Sequence, residues 1–263
     1  MLAPRVAASL PQGHGALPGL AARLKAMNPR PVALWAALLP FVAVHLTYLL
    51  AASHTLVDWC FPYVDSCTSI SATGRHPPAS YLFRATMLPS AVLLFAYWWL
   101  NSAWLAALGS GDRLRRWMLA MGGVASLGLV AYVTVLGEAG EQWQRQRRIG
   151  VVLFFAFTYL AQLLLVAQLR GLQPLALELG RLVNTMLALC ALLLALGVVT
   201  VLWDAVDNAG YETVEDAFEW NLSLLLQTNV LLGYFLWRRA GWQLSVVRGL
   251  AAADNPPATN RKD

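Results

Sequence analysis

The side chains that could do chemistry are concentrated in the connector from Cys60 to Arg84, which lies between two apolar runs. In chain order it contains Cys60, Asp65, Cys67, His76, Pro77 and Pro78. Cys60 and Cys67 can form a disulfide that closes a small loop if the connector faces an oxidising compartment, and two free thiols are the alternative. The third cysteine, Cys190, lies in an apolar run and is expected to be a small packing residue.

A second cluster of reactive side chains is acidic. Glu212, Glu215, Asp216 and Glu219 follow the spacing i, i+3, i+4, i+7, which is one face of a helix. Like charges at this spacing repel each other, so the stripe needs compensation. Ion pairs with the basic run of residues 145–148 (Arg145, Arg147, Arg148) are the first interpretation, a divalent cation is the second, and a solvated stripe is the third.

Sequence signatures of known hydrolases and metal sites are absent. The chain has no G-x-S-x-G and no H-E-x-x-H pattern. His54, Asp58, Asp65 and His76 lack a diagnostic zinc spacing, so no metal site is predicted. Serine hydroxyls in a turn-rich connector more often cap backbone groups than act as nucleophiles.

Composition identifies the scaffold that must hold these residues. Of the 263 residues, 58% are hydrophobic and only 13% are charged, whereas a soluble domain carries about 25% charged residues. Several apolar runs reach the roughly 20 residues that a bilayer-spanning helix needs. The basic residues behind the net charge of +5 flank these runs, where they fix topology, so no nucleic-acid partner is predicted. The predicted fold class is an all-α polytopic membrane protein.

Six transmembrane helices are predicted. They cover residues 31–52, 80–100, 117–136, 149–169, 182–203 and 217–237. Together they form one transmembrane domain over residues 31–239. A basic flank of residues 1–30, expected to be disordered, precedes it, and a polar tail of residues 240–263 follows. Met27 is an alternative to Met1 as the start of the chain.

The distribution of charge predicts the orientation. Most of the 19 lysines and arginines fall on the side that carries both termini, so both termini are expected in the cytosol. The loops of residues 53–80, 137–148 and 204–217 then share the outer face. The alanine-, leucine- and arginine-rich style of the chain favours a bacterial inner (plasma) membrane.

Three motifs resemble one known family. The first is FPYVDSCTSISATGRHPPASYLFR before the second span, the second is RRIGVVLFFAFTYLAQ at the fourth, and the third is AFEW at the sixth. They are similar to the six-span family that includes the damage-regulated autophagy modulator and the post-GPI-attachment lipid-remodelling factor. The N-terminal domain of a ceramide-remodelling cell-wall-biogenesis protein belongs to the same family. Two departures are Ala79, where the family has an acid, and Arg147–Arg148, where it often has His-Asn.

The resemblance implies an integral membrane protein that modifies or organises lipids. We expect a polar site for a lipid headgroup or a lipid-linked molecule on the outer face. The candidates for acid–base roles are Asp65, His76, Glu141 and Glu219. Arg84 and Arg148 are the candidate phosphate contacts, because a guanidinium matches a phosphate group, and Trp220 is expected at headgroup depth. Ser71, Gly74, Pro77 and Pro78 are expected to shape the site.

Two other functions are compatible with the sequence. The first is a non-enzymatic scaffold or regulator whose outer loops dock a partner membrane protein. The second is a small-solute transporter, which ranks last because such proteins have broken helices and charged groups at the bilayer midplane. No cofactor is predicted for any of the three.

Overall fold

The computed structural model describes residues 26–245, and the side chains of residues 173–178 are not described. The termini predicted as the flank and the tail therefore lie largely outside the described residues. The described chain is helical apart from one antiparallel pair of two-residue strands, β1 (Ala26–Met27) and β2 (Leu244–Ser245).

Six long helices account for the predicted spans. They are α1 (Arg30–Ser53), α4 (Ala79–Ala107), α5 (Asp112–Thr134), α6 (Glu141–Gly171), α7 (Gln173–Val206) and α9 (Glu215–Arg239). Between α1 and α4 lie two single-turn helices, α2 (Pro62–Asp65) and α3 (Ile70–Thr73), and α8 (Asn208–Glu212) precedes α9. Of the described helices, α1, α4, α5, α6 and residues Leu179–Val206 of α7 are long and apolar enough to cross a membrane.

Helix α9 is the predicted sixth span, yet it is not among these five. It is 25 residues long, which is sufficient length, but its first turns carry Glu215, Asp216 and Glu219. These acids, with polar residues further along, lower its hydropathy. In the bundle of residues Pro29–Trp242, α9 contacts both α1 and α7.

The long helices pack in a closed ring. Successive neighbours in contact are α1, α4, α5, α6, α7 and α9, and α9 returns to α1. Buried side chains in the ring include Trp98, Trp104, Trp220 and Trp237. Helices α5 and α6 approach most closely where glycines face each other: a Cβ at Gly128 would lie 3.0 Å from the Gly150 carbonyl oxygen. Small residues allow such approach in membrane bundles.

Several helices extend beyond the predicted spans, and α4 and α6 show the physical reasons. Helix α4 continues past Leu100 to Ala107 because the polar Asn101 is buried in the bundle, where its amide donates to the Tyr97 carbonyl at 3.0 Å. Helix α6 begins at Glu141, so most of the predicted loop of residues 137–148 is helical. An acid in the first turn favours this start, and Glu141 pairs with Arg145 one turn later at 3.1 Å.

Candidate functional site

The α1–α4 connection is fixed to the bundle by covalent and hydrogen bonds. We call the end of the bundle that carries it the loop end. Cys60 and Cys67 are joined by a disulfide, and Cys190 is a buried free thiol. The Tyr48 hydroxyl of α1 donates to the Cys60 carbonyl at 2.7 Å and accepts from the Cys60 N–H at 2.8 Å. The start of the connection is therefore held to α1.

Helix α9 holds the rest of the connection. The Trp220 indole N–H donates to the Thr68 carbonyl at 2.9 Å, and the Asn221 amide donates to the Tyr63 carbonyl at 2.9 Å. The Ala217 N–H donates to the Ser66 hydroxyl at 3.2 Å. Trp220 is 1% exposed, so its polar edge is used within the protein.

His45 of α1 belongs to the same packed region. One ring nitrogen, Nδ1, lies 2.7 Å from the Phe41 carbonyl oxygen, and the other, Nε2, lies 3.0 Å from the Tyr63 hydroxyl. The imidazole also packs edge-on against Trp220, with the ring centroids 5.6 Å apart. Both nitrogens have structural partners, and the ring is part of the support of the connection.

Beside this support, a cleft opens between the helices. Its enclosed volume is about 40 Å³, and residues of α1, α3, α4, α5, α6 and α9 line it. Most of the walls are apolar; the lining residues outside α9 include Val44, Phe83, Met87, Leu129 and Phe154. The cleft is therefore a narrow apolar opening that the end of a hydrocarbon chain can enter.

Polar groups enter the cleft mainly from α9. Glu219, Ser223 and Gln227 line it one turn apart, and the Gln227 amide donates to the Ser223 hydroxyl at 2.8 Å. The Glu219 carboxylate accepts from the backbone N–H groups of Ile70 and Ser71 at the start of α3. These N–H groups have no partner within their own helix. The carboxylate thus links α9 to α3 at the edge of an apolar cleft.

Two buried polar atoms at the cleft lack hydrogen-bond partners within the described residues. They are the Tyr132 hydroxyl of α5 and the Gln227 side-chain carbonyl oxygen. Native proteins satisfy most buried polar groups, so each exception calls for an explanation. A bound molecule with polar atoms is one such explanation.

Arginines gather around the loop end of α4, α5 and α6. Arg84 of α4 donates to the Leu136 carbonyl and pairs with Glu138, with 3.7 Å between nitrogen and oxygen. Arg75 and Arg147 lie within electrostatic range of the Tyr132 hydroxyl and of each other. Arg75 is also held by its backbone, because Gly137 (φ +92°) packs so closely against the Arg75 carbonyl that a Cβ there would collide with it.

The predicted site residues separate into two groups. Glu219 lines the cleft, Arg84 and Trp220 lie near it, and Ser71 contributes the N–H that Glu219 accepts. Gly74 ends α3 so close to α4 that a Cβ would lie 2.7 Å from the Phe83 ring. Pro77 and Pro78 are joined by a cis peptide bond, and Pro78 caps α4.

The other predicted residues do not line the cleft. Asp65 is exposed, and its carboxylate accepts from the Phe61 N–H at 2.7 Å, which caps α2. Glu141 is exposed and paired with Arg145, and His76 and Arg148 are exposed. The structure therefore does not bring the four candidate acid–base residues together.

The acidic stripe is divided in the same way. Glu212 and Glu215 are exposed, Asp216 is half-buried, and Glu219 turns into the cleft. None of the ion pairs between residues 26 and 245 joins the stripe to Arg145, Arg147 or Arg148. In the same range, no three His, Cys, Asp or Glu side chains are arranged to hold a metal ion.

The sequence interpretation did not assign Arg75, Tyr132 or Ser223 to the site. One signal could have found part of it: Glu219, Ser223 and Gln227 recur every fourth residue and predict a polar stripe on one face of α9. Tyr132 carries no such signal, because a tyrosine in an apolar run is ordinary. Only the packing of α5 against α6 brings Arg147 near it.

Comparison with known proteins assigns the bundle to a class of membrane protein. Residues 30–235 match the family model described as Frag1/DRAM/Sfk1/Cwh43P N-terminal domain. The chain belongs to this family, and the resemblance seen in the three motifs is confirmed. No curated protein and no solved structure matches the chain.

Proposed function

We propose that the protein binds a membrane lipid, or a lipid-linked molecule, in the cleft between α1, α4, α5, α6 and α9. The observation that carries this proposal is the cleft itself. Its walls are apolar, and its polar groups are confined to one stripe of α9 and to Tyr132 at its edge. An amphipathic ligand matches such a lining better than a small polar solute does, because ligand sites combine apolar walls with a few convergent polar groups.

In this proposal the loop end faces the outer side of a bacterial inner membrane, with α9 as the sixth span and both termini in the cytosol. The pairing of β1 with β2 supports an even number of crossings. Two segments that hydrogen-bond to each other lie on the same side of a membrane, so the chain between them crosses it an even number of times. The disulfide supports an oxidising, outer location for the loop end.

The lipid headgroup would lie at the mouth of the cleft, on the side of the arginines that gather at the loop end, Arg84 among them. If the lipid is also remodelled, Glu219 is the proposed acid or base. It is the carboxylate that reaches the cleft among the described residues, and an acid or base must be within hydrogen-bond reach of the reacting group.

Filling the cleft tests the binding proposal. Val151 and Val152 are neighbours on α6, and Val151 lines the cleft whereas Val152 is 63% exposed. Val151→Phe is expected to reduce the lipid that copurifies with the protein, measured by native mass spectrometry in detergent. Val152→Phe adds the same volume outside the cleft and should leave bound lipid unchanged. Equal lipid retention in both variants would contradict the proposal.

Lipid profiles of whole membranes test remodelling separately. Deletion of the gene is expected to change one lipid class, and Glu219→Gln or Arg84→Ala is expected to fail to restore it while inserting normally. An unchanged profile in every strain would remove the enzymatic role and leave lipid binding without turnover.

A second candidate function is a scaffold that docks a partner membrane protein. It is favoured by Trp59, Phe61 and Val64 of the α1–α4 connection, which are 65%, 62% and 72% exposed. Large apolar side chains exposed together mark interaction surfaces. Photo-crosslinking from position 61 in native membranes distinguishes the two functions, since a scaffold predicts one discrete protein adduct and a lipid-binding protein predicts adducts to lipid only.

A further inference from the structure

The Tyr132 hydroxyl is a buried donor without a visible partner. Tyr132 is 5% exposed, lines the cleft, and its hydroxyl accepts or donates no hydrogen bond among residues 26–245. Leaving such a group unpaired is costly. A molecule that enters the cleft can supply the missing partner.

Two arginines lie near this hydroxyl: Arg147 belongs to α6, and Arg75 belongs to the connection between α3 and α4. Arg75 and Arg147 interact electrostatically with Tyr132 and repel each other. Arg84, Arg115 and Arg145 each have an acidic partner, whereas neither Arg75 nor Arg147 has one within the described part of the chain. The Arg75 Nε is, moreover, buried without a hydrogen-bond partner.

The positions of both arginines are fixed by the fold. Close packing of Gly137 against the Arg75 carbonyl holds the backbone of Arg75 beside the end of α5. Arg147 lies near the start of α6, one turn from Gly150, which packs against the Tyr132 backbone; a Cβ at Gly150 would lie 2.7 Å from the Tyr132 nitrogen. Two like charges held near each other, neither of them in an ion pair among the described residues, favour the binding of an anion.

We propose that Arg75, Arg147 and the Tyr132 hydroxyl bind the phosphate group of a phospholipid, one acyl chain of which enters the cleft. This inference rests on the proposed lipid-binding function and names the headgroup chemistry. Two guanidinium groups and one hydroxyl supply the several N–H and O–H donors that phosphate oxygens accept.

Glu219 is the nearby negative charge, and it has donors of its own. Its carboxylate accepts from the Ile70 and Ser71 N–H groups, and no ion pair joins it to Arg75 or Arg147. It therefore leaves both cations available. The phosphate would lie on the arginine side of Tyr132, away from the α3–α9 contact.

The test compares two lipids that differ only in the phosphate-bearing headgroup. The full chain in an uncharged detergent is titrated with phosphatidylglycerol and with diacylglycerol of the same acyl chains, and bound lipid is counted by native mass spectrometry. Phosphatidylglycerol is expected to bind at least about tenfold more tightly than diacylglycerol, because one hydrogen bond to a charged group changes an affinity by about that factor. Arg75→Gln and Arg147→Gln should each remove most of that preference without changing diacylglycerol binding.

Two further variants separate the phosphate contacts from general effects of charge or folding. Arg145→Gln removes one positive charge from the same turn of α6, at an exposed residue already paired with Glu141, and should leave the preference intact. Tyr132→Phe keeps the ring and should lower phosphatidylglycerol binding alone, and by less than either arginine variant. Arg147→Lys, which keeps the charge but loses the planar fork, should give an intermediate preference.

The outcomes distinguish this inference from the lipid-binding proposal. If both lipids bind equally in the wild type, or if Arg145→Gln acts like Arg147→Gln, the phosphate site is overturned while lipid binding stands. If neither lipid binds, the lipid-binding proposal fails as well. Inorganic phosphate is tested alone: if it protects the protein from thermal unfolding as fully as phosphatidylglycerol does, the site takes free phosphate and the lipid source is overturned.

Discussion

Two adjacent residues of α9 have opposite roles at the loop end. Glu219 turns into the cleft, whereas Trp220 turns into the core and donates its indole N–H to the Thr68 carbonyl at 2.9 Å. Thr68 is itself buried. The Trp220 hydrogen bond therefore closes a contact between parts of the chain that are 152 residues apart. Its loss leaves a buried carbonyl oxygen without its donor.

We expect Trp220→Phe to destabilise the protein more than the loss of ring volume explains. An unpaired buried polar group costs roughly 1–3 kcal/mol. Trp237→Phe is the matched control, because Trp237 lies in the same helix, is 0% exposed, and its indole N–H has no hydrogen-bond partner among the described residues. Thermal unfolding in detergent should give the lower Tm for Trp220→Phe, and equal losses would show that the Thr68 bond contributes nothing.

At the residue scale, the sequence singled out individual side chains but did not predict their surroundings. The motif AFEW identified Glu219 and Trp220, but their separation by burial depends on how α9 rotates against α1 and α3. Asp65 and Glu141 were predicted as acid–base candidates because they are acids on the predicted outer face. Their actual partners are local: the N–H of Phe61 for Asp65 and Arg145 for Glu141. Local partners of this kind give no signal that distinguishes a cap from a catalytic group.

At the scale of elements, hydropathy located the long helices but not their neighbours. Every predicted span lies largely within one of the six long helices. The single-turn helices α2 and α3 were not predicted, because four residues are too few for a periodic pattern. Their positions are set by tertiary contacts, through the disulfide for α2 and through Glu219 for α3. The cleft itself is lined mainly by the long helices, and the α1–α4 connection beside it is the part that sequence patterns describe least well.

The turn between α5 and α6 is the element whose geometry matters most for the arginines. Gly137 has φ +92° and packs directly against the Arg75 carbonyl, whereas Gly109, in the turn between α4 and α5, has φ +79° and nothing within 4 Å of an added Cβ. Both glycines adopt a backbone conformation that an L-residue enters only with strain. Their steric surroundings are what distinguishes the cost of adding a Cβ.

We therefore expect Gly137→Ala to be more destabilising than Gly109→Ala. The positive φ costs both variants about 1 kcal/mol, and Gly137→Ala must in addition displace the Arg75 backbone. Its Tm should fall further, and its preference for phosphatidylglycerol should weaken because Arg75 moves. If the two variants have the same Tm and the same lipid preference, the close packing of Gly137 does not position Arg75.

At the scale of the whole molecule, the ring of helices explains why α9 tolerates its acids. Glu219 is half-buried at the cleft and bonded to backbone N–H groups, and Glu215 lies at the exposed start of the helix. Acids near a helix start also gain from the helix dipole. Hydropathy depends on composition and does not register such compensation. Helix α9 therefore does not reach the hydropathy of the other five long helices, although it contacts both α1 and α7.

The decisive question at this scale is whether α9 crosses the membrane. Five crossings, instead of six, would put the N-terminal and C-terminal ends of the chain on opposite sides of it. Single cysteines at the exposed positions Thr213 and Arg239 flank α9, and Arg113→Cys reports on the opposite turn between α4 and α5. In spheroplasts, a membrane-impermeant maleimide is expected to label Thr213→Cys directly, but Arg113→Cys and Arg239→Cys only after permeabilisation. The native cysteines should stay silent, because Cys60 and Cys67 are bonded and Cys190 is buried. Labelling of Thr213→Cys and Arg239→Cys on the same side would mean that α9 does not cross. One wall of the cleft would then be a helix that lies outside the bilayer, which would contradict the proposal that the cleft takes a membrane lipid.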